Sequence, residues 1–107
     1  MKEDNKIRVY IKAPGKEPEL KEIENTLESL QQIVGGYIET VTLADNAVII
    51  CNEEGRLRDL PFNCHIFGGD FVGTIIFAGV DEDEFASWSL DPASTRILFP
   101  DLWEVKK

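Results

Sequence analysis

The sequence predicts an α+β domain: a mainly antiparallel sheet with one principal helix packed on a face and a short C-terminal helix. Three observations carry this expectation. Ile7, Val9 and Ile11 alternate with Arg8, Tyr10 and Lys12 at the period of a half-buried strand, and further β-branched runs follow. Ile23, Leu27, Leu30 and Val34 step by four, three and four residues, which is one face of a helix. Asp45-Asn46 lies between two β-branched runs and tolerates the positive φ of a tight turn, so those runs form a hairpin.

The elements follow in order. The first strand spans 7–12 and ends at Pro14, Gly15 and Pro18, with a short extended piece possible at Leu20–Ile23. A helix over 26–34 follows, with Asn25 as N-cap, Glu28 completing a capping box and Gly35-Gly36 supplying the left-handed stop. The hairpin arms are 37–43 and 47–51. The second, Ala47-Val48-Ile49-Ile50-Cys51, has no polar alternation and reads as central in the sheet. Glu54-Gly55 turns the chain before the charged stretch 56–60, and Pro61 and Asn63 open a loop closing at Gly68-Gly69. Residues 71–78 form a strand in which Gly73 marks a bulge or a close backbone approach. Asp81-Glu82-Asp83-Glu84 is a solvated turn, since four adjacent carboxylates are not buried without partners. Asp91-Pro92 pairs an N-cap with a proline at the first helical position, so a short helix runs over 93–99 and stops at Pro100, while Leu102-Trp103 pins the tail.

The chain has 107 residues, 43% hydrophobic and 29% charged, which is the composition of one compact domain spanning 1–107. At this length folding needs neither a disulfide framework nor a structural metal. Met1–Lys6 is polar and Arg8 interrupts the first apolar run, so no export signal is read and a cytoplasmic location is expected. The longest apolar runs fall well short of the ~20 residues of a membrane helix, so no membrane partner is expected. Twenty acidic against eleven basic residues give a net charge of −9. Charge of that sign repels phosphate backbones, so direct nucleic-acid binding is not expected. The same acidity reads either as solubility or as a surface that attracts basic clefts.

Few residues point to chemistry. Cys64-His65 brings thiol and imidazole together in sequence, but neighbours in an extended segment face opposite sides, so no catalytic pair is expected. Cys51, Cys64 and His65 supply three soft ligands where a structural zinc site wants four, and there is no Cys-x-x-Cys; no metal and no cofactor are expected. Gly68-Gly69-Asp70-Phe71-Val72-Gly73 leads into a strand, whereas phosphate cradles lead into a helix. The acidic run fails as a calcium loop because Ala86 and Pro92 stand where glycine and glutamate are required. A non-enzymatic protein is therefore expected. Of the aromatic residues, Trp88 and Trp103 are the candidates for an interaction hot spot. The expected partner-binding set is Asp81, Glu82, Asp83 and Glu84, with Trp88 as the adjacent apolar anchor.

Ile7–Pro18, Ile23–Glu39, Ala47–Gly55 and Val72–Gly79 together resemble the family called domain of unknown function 3846, over roughly residues 7–81, leaving 82–107 as a divergent tail. The resemblance implies a small protein of bacteriophages or conjugative elements of Gram-positive bacteria, with no catalytic residue to carry over. Such proteins often inhibit host defences by stoichiometric binding, so the expected partner is a host protein with a basic cleft. The alternative from another class is a small-molecule binder, in which the loops at 35–36 and 68–69 of an oligomer close over a nucleotide-like signal, with Arg56 and Arg58 supplying positive charge.

Overall fold

The structure, a computed structural model, describes residues 5–66 and 68–103. In chain order it forms β1 (Lys6–Lys12), β2 (Glu19–Glu24), α1 (Leu27–Val34), β3 (Ile38–Ala44), β4 (Ala47–Asn52), β5 (Phe62–Ile66), β6 (Gly69–Val72), β7 (Ile75–Asp81), β8 (Glu84–Ala86), α2 (Pro92–Leu98) and a closing 3₁₀ turn (Pro100–Trp103). The main sheet runs β2-β1-β7-β4-β3 with antiparallel neighbours, and β8 pairs with the end of β7. β5 and β6 make a separate hairpin. The fold is α+β, with one principal helix and a short C-terminal one, as the sequence predicts.

Strand alternation sorts the core into two layers. On one face Ile7, Val9, Val48, Ile50, Ile76 and Ala78 pack under Leu30 and Val34 of α1. On the other, Tyr10, Ile49, Ile75 and Phe77 meet Cys64 of β5, Trp88 and Leu102. The central strands β4 and β7 are thus covered on both sides. This explains why Ala47–Cys51 carries no polar alternation. Burying both faces removes more apolar surface from water than one helix alone could cover, at ~25 cal/mol per Å².

Several local expectations are corrected. α1 is capped by Thr26, whose Oγ1 accepts from Ser29 N at 3.1 Å, and not by Asn25. Leu27 is 58% exposed; the buried stripe is Leu30 and Val34, with Ile33 partly buried. Ile23 lies on β2, partly buried against the same layer, so the periodic stripe continued across a strand and a helix. The run 71–78 is two strands in two sheets, divided at Gly73, whose φ of 74° breaks the extended backbone and where a Cβ would lie 2.8 Å from Leu60 Cδ1. The loop expected from Pro61 to Gly68 contains β5, held by Asn63 at its bulge: Asn63 Nδ2 donates to Lys12 O at 2.8 Å and to Gly73 O at 2.6 Å. Phe67 lies outside the described residues.

The α2 cap is the one the sequence predicts. Asp91 accepts from Ser94 N at 2.7 Å, and the hydrogen bonds from Ser94 hold its carboxyl below the ordinary aspartate value.

Candidate functional site

The antiparallel registers gather acidic residues from distant parts of the sequence at one end of the main sheet. Asp81 and Glu84 face each other at the end of β7 and β8, with Glu82-Asp83 as the two-residue turn between them. Val80 N donates to Asn46 O at 3.1 Å, which places the Asp45-Asn46 turn beside that tip. Asn25 Nδ2 donates to Phe85 O at 2.9 Å, which brings Glu24 at the end of β2 and the first turn of α1, with Glu28, to the same end. All four carboxylate residues 81–84 are exposed, as are Glu24, Glu28 and Asp45. Lys6 lies opposite Glu24 in the ladder and is exposed too.

The tip has an unusual backbone. Glu82 and Asp83 have φ of 52° and 69°. A two-residue hairpin with positive φ at both positions favours Asn-Gly or Asp-Gly, because a side chain there meets the following carbonyl and costs roughly 1–2 kcal/mol per residue. Here both positions carry long or charged side chains instead.

Trp88 does not stand beside this turn as an exposed anchor. It is 8% exposed, its indole N–H donates to Thr95 Oγ1 at 2.9 Å, and its ring meets Phe77 edge-on at 6.0 Å. The reason is β8, which turns the chain back so that Trp88 N donates to Arg8 O at 2.9 Å and the ring is delivered under α2. Trp103 is half-buried, edge-on to Tyr10 at 5.7 Å and beneath the Arg96 guanidinium at 5.1 Å. The exposed apolar side chain near the acidic end is Leu27, two residues beyond Asn25. Sequence reasoning missed Leu27, Glu24 and Asp45 because only the strand registers bring them together.

The remaining candidates are placed as follows. Cys64 is buried while His65 is exposed and donates through Nδ1 to the Asp70 carboxylate, so the two side chains do face opposite sides. Burial, with Glu39 adding to it, pushes the Cys51 thiol up to about 11. Burial also raises the Cys64 thiol, against the opposing charge of Lys12. Burial lowers the Lys12 ammonium from its ordinary value. Arg56 and Arg58 do not converge: Arg56 Nη2 donates to Asp70 O at 2.8 Å, and Arg58 Nη1 to Gly35 O at 2.8 Å. The open depression of 330 Å³ beside Arg56 is lined by Gly69 but not by Gly35 or Gly36, and Glu39, Glu53 and Asp70 outnumber its one guanidinium. Among the described residues no helix is long and apolar enough to cross a membrane.

No curated protein and no solved structure matches the chain. A family model does match, over residues 7–97. The match extends past the boundary near residue 81 expected from the sequence, so it includes the acidic tip, Trp88 and nearly all of α2. By that match the chain belongs to the family described as a domain of unknown function, DUF3846.

Proposed function

We propose that the protein is a non-enzymatic binding module that engages a basic protein surface through the acidic end of its sheet, in the manner of a mobile element's inhibitor of a host defence or nucleic-acid-processing protein. The observation that supports this reading best is the left-handed Glu82-Asp83 turn. A turn that needed only to reverse the chain would be more stable with Asn-Gly, so backbone strain is retained together with charge, and strain of this kind clusters at functional positions. Asp81 and Glu84 flank the turn, Glu24, Glu28 and Asp45 widen it, and Leu27 takes the apolar place expected of Trp88. Such a surface steers a basic partner in by its field and holds it by a desolvated contact.

The test is the double substitution Glu82→Asn/Asp83→Gly. It should stabilise the free protein by relieving the turn, while slowing association with a basic protein captured from a bacterial lysate and flattening the salt dependence of that association. A captured partner that binds wild type and variant equally at low salt sinks the proposal. A nucleotide-retention screen run beside it tests the sequestering alternative, which the acid-rich depression beside Arg56 does not favour.

A further inference from the structure

β2 and β3 are the two edges of the main sheet, and they are built differently. β2, Glu19-Leu20-Lys21-Glu22-Ile23-Glu24, carries four charged residues in six, a device that discourages pairing with another chain. β3, Ile38-Glu39-Thr40-Val41-Thr42-Leu43-Ala44, has one charge, no lysine and no proline, and Glu39 to Thr42 are exposed. Among the described residues no strand pairs with its outer side. By its length and β-branched composition this edge is a template for another strand.

The ladder fixes which main-chain groups are offered. Glu53 N donates to Tyr37 O at 2.8 Å, so residue 37 directs its main-chain groups toward the β4 side. Antiparallel ladders alternate, so Glu39 and Val41 do the same, while Ile38, Thr40 and Thr42 direct theirs outward. The segment Thr40-Val41-Thr42 is symmetric about Val41. We propose that β3 pairs with β3 of a second copy of this chain, antiparallel about a two-fold axis at Val41, to make a dimer with one continuous sheet.

In this register the outward groups meet in step. Thr40 lies opposite the second copy's Thr42, each such pair exchanging two main-chain hydrogen bonds, and the threonine side chains form a favourable cross-strand pair on the α1 face. Val41 meets Val41 as a non-hydrogen-bonded pair. Glu39 comes to the bulge at Leu43, between Thr42 and Ala44, and not to Glu39, so the edge's one charge does not face itself.

The register also gives an occupant to an apolar depression. An open hollow of 350 Å³ on the face away from α1 is lined by Leu43, Ala44, Ala47, Trp88, Leu90 and Phe99, among others, at the turn end of the β3–β4 hairpin. Tyr37, one residue before β3, is 65% exposed, and since its carbonyl accepts from Glu53 N the alternation of Glu39 and Val41, carried one step further, sets it on that same face. Self-pairing brings the second copy's Tyr37 to the bulged end of β3 at Leu43, where an aromatic side chain reaches the mouth of the hollow. Symmetry repeats the contact at the other end, so each copy supplies one ring and one hollow. An extended peptide from an unrelated partner would use the same main-chain groups, but nothing in such a peptide need place an aromatic residue there.

The test is sedimentation of the full chain across concentration and salt. A dimer should form at about 100 μM chain, and it should tighten as salt rises, because two chains of −9 repel. Thr40→Pro removes an outward donor without touching the β3–β4 ladder, and Val41→Lys charges the axis; each should weaken the dimer by about tenfold or more while circular dichroism stays native. Val41→Cys should form a disulfide-linked dimer on mild oxidation, since the Cα separation of such a pair, about 4.5 Å, suits the bond. Glu39→Cys, which comes to the bulge at Leu43, should cross-link far less. A chain that stays monomeric up to about 1 mM at high salt overturns the proposal, as does a dimer indifferent to Thr40→Pro and Val41→Lys. Equal cross-linking at 39 and 41 overturns the register. A monomer that takes up an extended peptide along β3 assigns the edge to another occupant.

Discussion

Asn63 is buried between β5, β1 and the Gly73 kink, and its amide works in one direction only. Two carbonyl oxygens accept from Nδ2, while Oδ1 has no hydrogen-bond partner among the described residues. Reversing the amide would set oxygen against both carbonyls, so donation to them fixes the side chain and with it the bulge of β5. Asn63→Asp replaces the donor by an acceptor at the same volume. We expect a loss of about 3–5 kcal/mol at neutral pH, the size found when a buried charge is left uncompensated. The sign with pH follows from the raised pKa of such a carboxyl. The deficit relative to wild type is smallest below about pH 4, where aspartate is neutral in the folded and unfolded chain alike, and it grows as pH rises from there to the raised pKa of the folded carboxyl. Urea unfolding at acid and neutral pH measures it; a deficit below about 1 kcal/mol at pH 7 would show that the two carbonyls do not depend on this amide.

At the scale of elements, β8 decides how the second half of the chain is used. It pairs with β7 where β1 has parted from it, and Gly79 is the residue that lets it in: a Cβ there would sit 2.3 Å from Ser87 O. That contact is with backbone, so no rotamer change relieves it. Gly79→Ala should therefore cost at least the ~1–3 kcal/mol of an overpacked core, read as a lower denaturant midpoint. The loss should come with increased solvent exposure of Trp88, seen as a shift in tryptophan fluorescence, because the strand that delivers the indole is displaced. An unchanged midpoint would mean β8 lies farther from β7 than the structure places it.

The same element marks the boundary of what the sequence made legible. β1, α1, the β3–β4 hairpin and α2 each carry a local signal, a period or a cap, and each is found within a residue or two of its expected span. What was misread depends on contacts distant in sequence. Trp88 looks like a surface residue until β8 folds it back, and β5 looks like a loop until the Asn63 amide closes its backbone onto β1. Gly73 carried a readable sign of disruption, but whether a kink yields a bulge or sends the strand to a second sheet is settled by packing against Leu60. The acidic tip was legible as a solvated turn; its enlargement by Glu24, Glu28 and Asp45 was not, since registers and not spacing set it.

For the whole molecule the governing quantity is unbalanced charge. Twenty acidic residues face eleven basic ones, and among the described residues Lys21 pairs with Glu19 and His65 hydrogen-bonds Asp70, both contacts exposed and worth little to stability. The acidic end therefore works against folding, because self-repulsion destabilises the compact state. Raising ionic strength from about 0.01 M to 0.15 M shortens the Debye length from about 30 Å to about 8 Å, less than the 45 Å long dimension of the fold. Screening on that scale should raise Tm by about 4–8 °C for each kcal/mol of repulsion removed. The Glu82→Asn/Asp83→Gly variant should begin from a higher Tm and gain less from salt, because two of the charges and the turn strain are gone. Binding of a basic partner should respond in the opposite sense, weakening over the same salt range. Thermal melts and binding isotherms in one salt series decide this together: a Tm that falls with salt, or a variant that gains as much as wild type, would show that repulsion at the acidic end does not limit stability.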